Sequence, residues 1–201
     1  MPPSSYSLVA GVGGVDSYFI RWQNSNVVIK LIVFAIGSLG IIFLFLKSAS
    51  KLRSYGFFRF LAFESILVLI LFNVEHWFRN PFSIAQIISW LLLIASVVMV
   101  SSGFYMLRMF GKPKDVIDDT TVLVTRGIYK YIRHPLYSSL LLLGWGVFLK
   151  DVSLVSLALV LVASGFLVCM AKVEEKENIK KFGEEYSSYI KATKMFIPFI
   201  I

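Results

Sequence analysis

Hydrophobic residues fall into five long segments, which short polar connections separate. The first three segments and the fifth reach or nearly reach the length of about 20 residues that an α-helix needs to cross about 30 Å of hydrocarbon. The pattern therefore predicts an all-α, polytopic membrane protein with about five transmembrane helices. The five segments are Val27–Leu46, Phe57–Val74, Ile84–Leu107, Leu136–Leu149 and Val152–Ala171.

The fourth segment is shorter than the others. Pro135 precedes it, and the pair Lys150–Asp151 separates it from the fifth segment. We expect the last two segments to form a tight helical hairpin, and a re-entrant pair that enters the bilayer only partly is the alternative. The fifth helix should continue to Phe182–Gly183, because glycine is favoured just beyond a helix terminus. A helical C-terminal tail would then follow.

The composition supports a membrane protein and excludes a soluble globular domain and a disulfide scaffold. Hydrophobic residues make up 57% of the 201 residues, charged residues make up 16%, and the mean hydropathy is +0.76. A soluble domain carries about 25% charged residues. Cys169 is the only cysteine in the sequence, which excludes a disulfide scaffold. The helices and their short connections must therefore carry any chemistry.

Basic residues are concentrated on one side of the predicted bundle. Sixteen of the 20 Lys and Arg occur in the connection between segments one and two, the connection between segments three and four, and the C-terminal tail. The positive-inside rule then predicts a cytoplasmic C-terminus and, with five spans, an N-terminus outside. The net charge of +8 reflects this asymmetry and would attract anionic membrane lipids. Without a basic soluble face, we expect no nucleic-acid partner.

A polar cluster, Gly127–Tyr137, precedes the fourth segment. Pro135 suits the first turn of a helix and forces His134 toward an extended conformation in the cap region. His134 and the free backbone N–H groups of that turn would face a ligand above the helix. The alternative is a membrane anchor, with Arg133 on a lipid phosphate and the tyrosines in an interfacial aromatic belt.

A second polar cluster, Glu174–Glu175, lies on the predicted extension of the fifth helix. Lys172, Lys176 and Lys180 recur every four residues and form one stripe. Glu174 lies about 200° around the helix from Lys172 and therefore faces the bundle. A carboxylate in that place is costly unless it serves a partner. A solvated face with ion pairs to neighbouring lysines is the alternative.

Two further observations limit the chemistry. The only two histidines, His76 and His134, are predicted on opposite sides of the membrane, so we expect no protein-built metal site. Glu64 lies near the middle of the second segment, where a carboxylate is a functional candidate. A structural ion pair with Lys30 or Arg59 is the alternative for Glu64.

The C-terminal part of the chain also contains a series of motifs in a specific order. They are Leu123–Tyr129, Arg133–Tyr137, Gly144–Gly146, Glu174–Glu175, Phe182–Tyr186 and Tyr189. This series resembles the isoprenylcysteine carboxyl methyltransferase and phospholipid N-methyltransferase superfamily. The resemblance implies an integral-membrane methyltransferase that binds S-adenosylmethionine in a cytoplasm-facing pocket without a Rossmann domain. It also implies an amphiphilic acceptor, either a lipid-like or a prenylated small molecule.

The resemblance assigns roles to individual residues. Glu174 would face the reacting centre. Arg133 is one cation that could pair with a carboxylate acceptor, with Arg59 or Lys30 as alternatives, and Glu174 and Arg133 are the predicted catalytic residues. Glu175 would hold the amino group of the cofactor. The other predicted cofactor-binding residues are Tyr129, His134, Pro135, Tyr137, Gly144 and Gly146. The two glycines would let a ligand approach the helix closely.

With these roles the chain divides into three parts. Residues 1–26 would form an interfacial or loosely ordered arm, residues 27–110 three transmembrane helices that face the substrate, and residues 111–201 the cofactor-binding catalytic part. Met170 stands where prenylcysteine-type enzymes are expected to have an arginine. A carboxylate acceptor would therefore lack its usual partner, which leaves amine and thiol acceptors open.

Several functions remain after this comparison. The most similar activity is that of protein-S-isoprenylcysteine carboxyl O-methyltransferase, and a phospholipid N-methyltransferase or another small-acceptor enzyme of the superfamily is the alternative. An NADPH-dependent membrane reductase shares the Arg-His-Pro-x-Tyr turn, but Leu136 stands where such reductases usually have Asn. A non-enzymatic membrane scaffold would leave the polar clusters without a role.

Overall fold

A computed structural model of the chain describes residues 27–43, 56–113 and 120–198. The chain divides into two compact units, Met1–Gly40 and Ile41–Ile201. The first helix, α1 (Val27–Phe43), is apolar and belongs almost entirely to the first unit. The predicted N-terminal arm, residues 1–26, lies outside the described residues.

The second unit is a helical bundle. Its described residues contain no regular strand, only two isolated backbone bridges. The all-helical class predicted from the sequence is therefore confirmed. The helices are α2 (Gly56–Asn73), α3 (Ile84–Phe110), α4 (Pro135–Phe148), α5 (Leu154–Phe182) and α6 (Glu184–Ala192), with short 3-10 turns at Val74–His76 and Gly127–Lys130.

Among the described residues, three helical stretches are long and apolar enough to cross a membrane, namely Gly56–His76, Ile84–Phe110 and Leu154–Phe182. These stretches support a membrane protein. Two other apolar helices, Val27–Phe43 and Pro135–Phe148, are shorter. The 14 residues of α4 extend only about 21 Å, which is less than the hydrocarbon thickness. The count of five complete spans therefore stays a prediction.

The ends of the helices follow from local side-chain chemistry. Ser83 caps α3 by accepting a hydrogen bond from the Gln86 backbone N–H, and Ser153 caps α5 in the same way. Pro135 occupies the first position of α4, where its missing N–H costs nothing. Gly183 follows α5 with a φ of 61° and separates it from α6. The end of α5 at Phe182 was predicted correctly.

Small and polar residues hold the helices of the bundle together. α4 packs along α3, and α2 packs along α5. Ser89 Oγ on α3 donates a hydrogen bond of 2.6 Å to the Gly146 carbonyl on α4, and Asn73 pairs with Ser156 between α2 and α5. A Cβ on Gly146 would come within 3.0 Å of Leu93 Cδ2. Contacts of this kind are typical of helices that associate in lipid.

The outward face of the bundle is apolar. On α3, the side chains of Leu91, Ile94, Val97 and Val98 are each more than half exposed. An exposed apolar surface of this extent on a single helix marks a membrane or protein contact. Together with the length of the helix, it supports contact with lipid.

The C-terminal tail returns to the start of α4. The Arg133 N–H donates to the Lys194 carbonyl at 2.8 Å, and the His134 N–H donates to the Met195 carbonyl at 3.1 Å. Ser138 Oγ donates to the Phe196 carbonyl at 2.8 Å. These bonds hold the segment after α6 against the N-terminal end of α4.

Candidate functional site

The two polar clusters meet at one end of the bundle. His134 and Tyr137 lie at the start of α4, and Glu174 and Glu175 lie in the last third of α5. Side-chain hydrogen bonds join the two helices at both glutamates. The two clusters are about 40 positions apart in the sequence, and together they form one constellation.

Glu175 lies between two basic side chains. Its Oε1 accepts a hydrogen bond of 2.6 Å from Arg133 Nε and lies 3.3 Å from His134 Nε2. The exposed fractions of the three side chains are 8% for Arg133, 3% for His134 and 13% for Glu175. Such burial makes a charge-assisted bond stronger than it would be in water. Oε2 of Glu175 makes no hydrogen bond within the described part of the chain.

Arg133 also binds the C-terminal segment. Its Nη1 donates to the backbone carbonyls of Ile190 at 3.1 Å and Thr193 at 2.5 Å. A planar guanidinium can form bonds in several directions at once. Arg133 therefore links Glu175 on α5 to the end of α6, and this geometry is that of a positioning residue. Its predicted catalytic role stays a prediction.

The second glutamate pairs with a phenol. Tyr137 Oη donates a short hydrogen bond to Glu174 Oε2. The ring of Tyr137 also stacks on the ring of His134, with centroids 5.3 Å apart and planes 3° apart. The stack and the hydrogen bond fix the orientation of both rings toward the space between α4 and α5.

A cleft opens at this constellation. It contains about 570 Å³ of empty space, counting the part that is open to solvent. Glu174 lines the cleft, whereas Glu175 supports His134 and Arg133 from behind. The lining residues are Leu107, Thr120, Leu123, Val124, Tyr129, Arg133, His134, Pro135, Leu136, Tyr137, Glu174, Asn178, Phe182, Tyr186 and Tyr189.

Two of the lining tyrosines had no predicted role. Tyr186 and Tyr189 lie on α6 and are almost fully buried. Tyr189 Oη donates to the Tyr129 carbonyl at 2.6 Å. Burial raises the pKa of both phenols well above the usual value, so they stay neutral hydrogen-bonding groups. The Phe182–Tyr186 motif and Tyr189 carried the resemblance, but the sequence did not place them in the cleft.

Gly127 allows the approach of the loop that carries Tyr129. Its φ of 59° lies in the left-handed region, which favours glycine. A Cβ at this position would also come within 2.8 Å of Met106 Sδ on α3. The loop can therefore fold close to α3 and complete the wall of the cleft.

Some predicted residues lie elsewhere. Gly144 and Gly146 do not line the cleft, and they pack instead against Val160 on α5 and Leu93 on α3. At Gly146 the lack of a side chain allows close contact with α3, whereas a Cβ on Gly144 would make only an ordinary contact with Val160. Glu64, on α2, does not line the cleft either.

Two further features bear on the chemistry of the site. Met170, which stands where prenylcysteine-type enzymes are expected to have an arginine, is 1% exposed and packs in a core cluster that includes Tyr137. Among the described residues, no group of three or more His, Cys, Asp or Glu could hold a metal ion. The cleft thus offers one lining carboxylate, stacked aromatic rings and an apolar wall. It can hold a ligand with a cationic centre and a flat, weakly polar part.

Comparison with known proteins relates this region to a family of enzymes. The sequence model of the phospholipid methyltransferase family matches residues 84–185, about half of the chain, from the start of α3 to the beginning of α6. The matched residues include both polar clusters.

Individual proteins show the same relationship. The chain is 25% identical over 117 residues to a methanethiol S-methyltransferase of Crocosphaera subtropica, covering 56% of this chain and 44% of the relative. It is 31% identical over 71 residues to a methanethiol S-methyltransferase of a Pseudomonas species and 30% identical over 71 residues to that of Pseudomonas deceptionensis. Each of these two matches covers 35% of this chain and 26% of the relative. The chain thus spans less than half the length of the curated relatives it matches.

Proposed function

We propose, from the premise that this chain belongs to the phospholipid methyltransferase family, that it is an integral-membrane methyltransferase that uses S-adenosylmethionine. The observation that carries this proposal is the convergence of His134 and Tyr137 with Glu174 and Glu175 at one cleft. Sequence motifs and geometry thus support the same end of the bundle as the place of the reaction.

The residues of the cleft suit this methyl donor. Leu107, Leu123 and Val124 supply an apolar wall for a nucleobase, and the neutral phenols of Tyr186 and Tyr189 can hydrogen-bond to a ribose. Aromatic rings and a carboxylate attract a positively charged sulfonium. The bound donor would supply an electrophilic methyl group for an in-line displacement.

Individual residues would hold and orient the donor. His134 and Tyr137 would contact it, and Tyr129 and Pro135 would shape its pocket. Glu175 does not line the cleft, so it would act on the donor by holding His134 and Arg133 in place. The displacement needs alignment of nucleophile, methyl and leaving sulfur, so positioning supplies much of the acceleration.

Glu174 is the proposed general base. It lines the cleft and is oriented by the hydrogen bond from Tyr137. A thiol or an ammonium acceptor must lose a proton to become a nucleophile, and a carboxylate within hydrogen-bond reach can take it. Glu174 would therefore affect turnover more than donor binding.

We further propose a thiol as the acceptor. The one cation that lines the cleft, among the described residues, is Arg133, and its guanidinium is bonded to Glu175 and to backbone carbonyls. Met170 supplies no charge. A carboxylate acceptor, such as isoprenylcysteine, would therefore lack a free partner. The relatives named methanethiol S-methyltransferases support a small thiol.

A phospholipid amine is the second candidate acceptor. An apolar groove beside the site is lined by Leu141, Val168, Met195 and Phe196, with Lys172 and Lys194 among its other lining residues. Acyl chains could lie in such a groove, with the headgroup near the two lysines. This observation favours an amphiphile over a small thiol.

An acceptor screen tests the proposal. Purified protein in detergent is given donor with a labelled methyl group and one acceptor: a small alkyl thiol, phosphatidylethanolamine or a prenylcysteine analogue. We expect transfer to the thiol, with Glu174→Gln reducing turnover and the matched variant Glu177→Gln leaving it unchanged. Transfer to the prenylcysteine analogue alone would refute the acceptor assignment, and no transfer to any acceptor would refute the proposed reaction.

The distribution of charge supports a cytoplasmic cleft and C-terminus, with the N-terminus outside. A cysteine at the exposed position of Lys130, in a Cys169→Ser background, would report the side of the membrane. We expect a membrane-impermeant maleimide to label it only after permeabilisation. Labelling in intact cells would contradict this orientation.

A further inference from the structure

A second polar cavity lies at the end of the bundle opposite the cleft. The cleft is formed at the start of α4 and the end of α3, whereas this cavity lies at the end of α4 and the start of α3. It encloses about 610 Å³ of empty space, counting its open part. Residues that line it include His76, Arg79, Asn80, Ser83, Gln86 and Lys150.

Lys150 contributes a buried positive charge to this cavity. Lys150 is only 5% exposed, and its Nζ donates a hydrogen bond of 3.0 Å to Gln86 Oε1. The ammonium lies 3.7 Å from the ring centroid of Trp90 and 5.6 Å from that of Trp77. An ammonium has three donors, and within the described ranges only one of them has an acceptor. Lys150 has no carboxylate partner there.

A second polar group at the cavity is incompletely bonded. His76 Nδ1 is buried and has no hydrogen-bond partner among the described residues. Gln86 Nε2 holds this region in place by donating to the backbone carbonyls of His76 at 3.1 Å and Lys150 at 3.3 Å. A buried polar group without a partner is costly. The unpartnered His76 nitrogen and the spare donors of Lys150 at one cavity indicate a ligand that supplies hydrogen-bond acceptors.

The electrostatics of the cavity favour an anion. Arg79 is exposed and lines it beside Lys150, whereas Asp151 is the one acid among the lining residues. The N-terminal end of α3, a helix of 27 residues, also lies there, and helix N-termini carry partial positive charge. The lining thus combines side-chain charge, a helix dipole and spare donors.

The surroundings of the cavity are those of a membrane surface. Phe82 is 89% exposed and Leu154 is 85% exposed, and Val152, which lines the cavity, is also exposed. Apolar side chains beside a basic cavity suit an amphiphile whose chains lie along the helices. Its charged group would then reach Arg79 and Lys150.

We propose that this cavity binds a phosphate oxyanion, and that the phosphodiester of a membrane phospholipid supplies it. The site is separate from the methyl-transfer cleft and does not depend on the function proposed for that cleft. Arg79 and Lys150 supply the charge, and His76 supplies a further hydrogen bond. A bound lipid would join α3 to the connection between α4 and α5.

Thermal unfolding in a neutral detergent tests this site. Dioctanoyl phosphatidylglycerol, inorganic phosphate and dioctanoylglycerol, which lacks the phosphate, are each titrated against the melting temperature. We expect the phospholipid to raise the melting temperature and dioctanoylglycerol to have no effect. An equal effect of inorganic phosphate would support the oxyanion site and assign it to a free anion. An equal effect of dioctanoylglycerol, or no effect of either phosphate compound, would overturn the proposal.

Three variants locate the effect. Lys150→Met keeps an unbranched apolar chain against the tryptophans and should remove the shift. Arg79→Gln alters an exposed side chain, so the fold is retained, and should raise the half-saturating concentration at least about tenfold through loss of a charge-assisted bond. Lys191→Gln, which alters an exposed side chain of α6, is the control and should keep the shift in melting temperature. An unchanged half-saturating concentration in Arg79→Gln would overturn the proposal even if Lys150→Met does not fold.

Discussion

Removal of the Arg133 side chain should destabilise the protein and detach its C-terminal segment. Arg133 makes a buried bond of 2.6 Å to Glu175 and donates to the carbonyls of Ile190 and Thr193. Breaking a buried ion pair by removing one partner costs about 3–5 kcal/mol. Because Glu175 retains a contact with His134, we expect Arg133→Met to lower the free energy of unfolding by about 3 kcal/mol.

The assay is unfolding in mixed micelles, followed by circular dichroism, for a double-mutant cycle. Glu175→Gln removes the other charge, and the double variant carries both changes. If the charged pair contributes as the geometry indicates, the double variant should be more stable than the sum of the two single effects by at least about 1.5 kcal/mol. Lys194→Met, at an exposed position of the C-terminal segment, serves as the control and should change stability by less than about 0.5 kcal/mol.

A second readout separates a positioning role from a catalytic one. Protease cleavage after α6 should become faster in Arg133→Met, because the hydrogen bonds to the end of α6 are lost. Additive effects in the cycle, together with unchanged cleavage, would refute the inference that Arg133 links α5 to the C-terminal segment. Loss of turnover with unchanged stability would restore its predicted catalytic role.

Three other expectations follow from individual contacts. Gly146→Ala should lower the free energy of unfolding by about 1–3 kcal/mol, because its Cβ would overlap with α3, whereas Gly165→Ala, with open space around it, should not lower it; equal destabilisation would contradict the close packing. Tyr137→Phe should reduce turnover about tenfold while donor affinity is retained, because Glu174, the proposed general base, loses its orienting hydrogen bond; full turnover would exclude that role. Burial raises the pKa of Tyr186 and Tyr189, so the unfolded state loses protons first above about pH 10, and the free energy of unfolding should fall as the pH rises through that range. A flat profile, measured by denaturant titration, would contradict this burial.

Hydropathy predicted the helices well because the bilayer demands continuous apolar stretches. The segment predicted as Phe57–Val74 is the helix Gly56–Asn73, and the helix predicted to run to Phe182 ends there. Serine caps and a glycine set these helix ends, so the ends can be predicted from the sequence. The number of complete spans cannot be predicted in this way, because the length of α4 alone does not decide whether it crosses the bilayer.

The sequence predicted only part of the candidate site. The two clusters could be expected to meet because a hairpin of two helices returns the chain to the same end of the bundle. The link that Arg133 makes to the end of α6 could not be expected, because its partners there include backbone carbonyls, which no side-chain pattern reveals. The two glycines of α4 were assigned to a ligand, which stays a prediction, and at Gly146 the close approach of Leu93 on α3 is a second reason for glycine. Tyr186 and Tyr189 reach the cleft through the turn at Gly183, whose direction hydropathy does not predict.

The affinity of the purified protein for S-adenosylhomocysteine, measured by titration calorimetry in detergent, tests the proposed donor site most directly. The wild-type protein should bind it, His134→Ala and Glu175→Gln should each weaken binding at least about tenfold, and Glu177→Gln on the same helix should bind as the wild type does. Glu175→Gln should unfold at a lower temperature because it breaks the buried pair with Arg133, so the affinities of all four proteins are measured well below that unfolding temperature. Equal affinity in all of them, or no binding by the wild type, would contradict the assignment of the donor to this cleft.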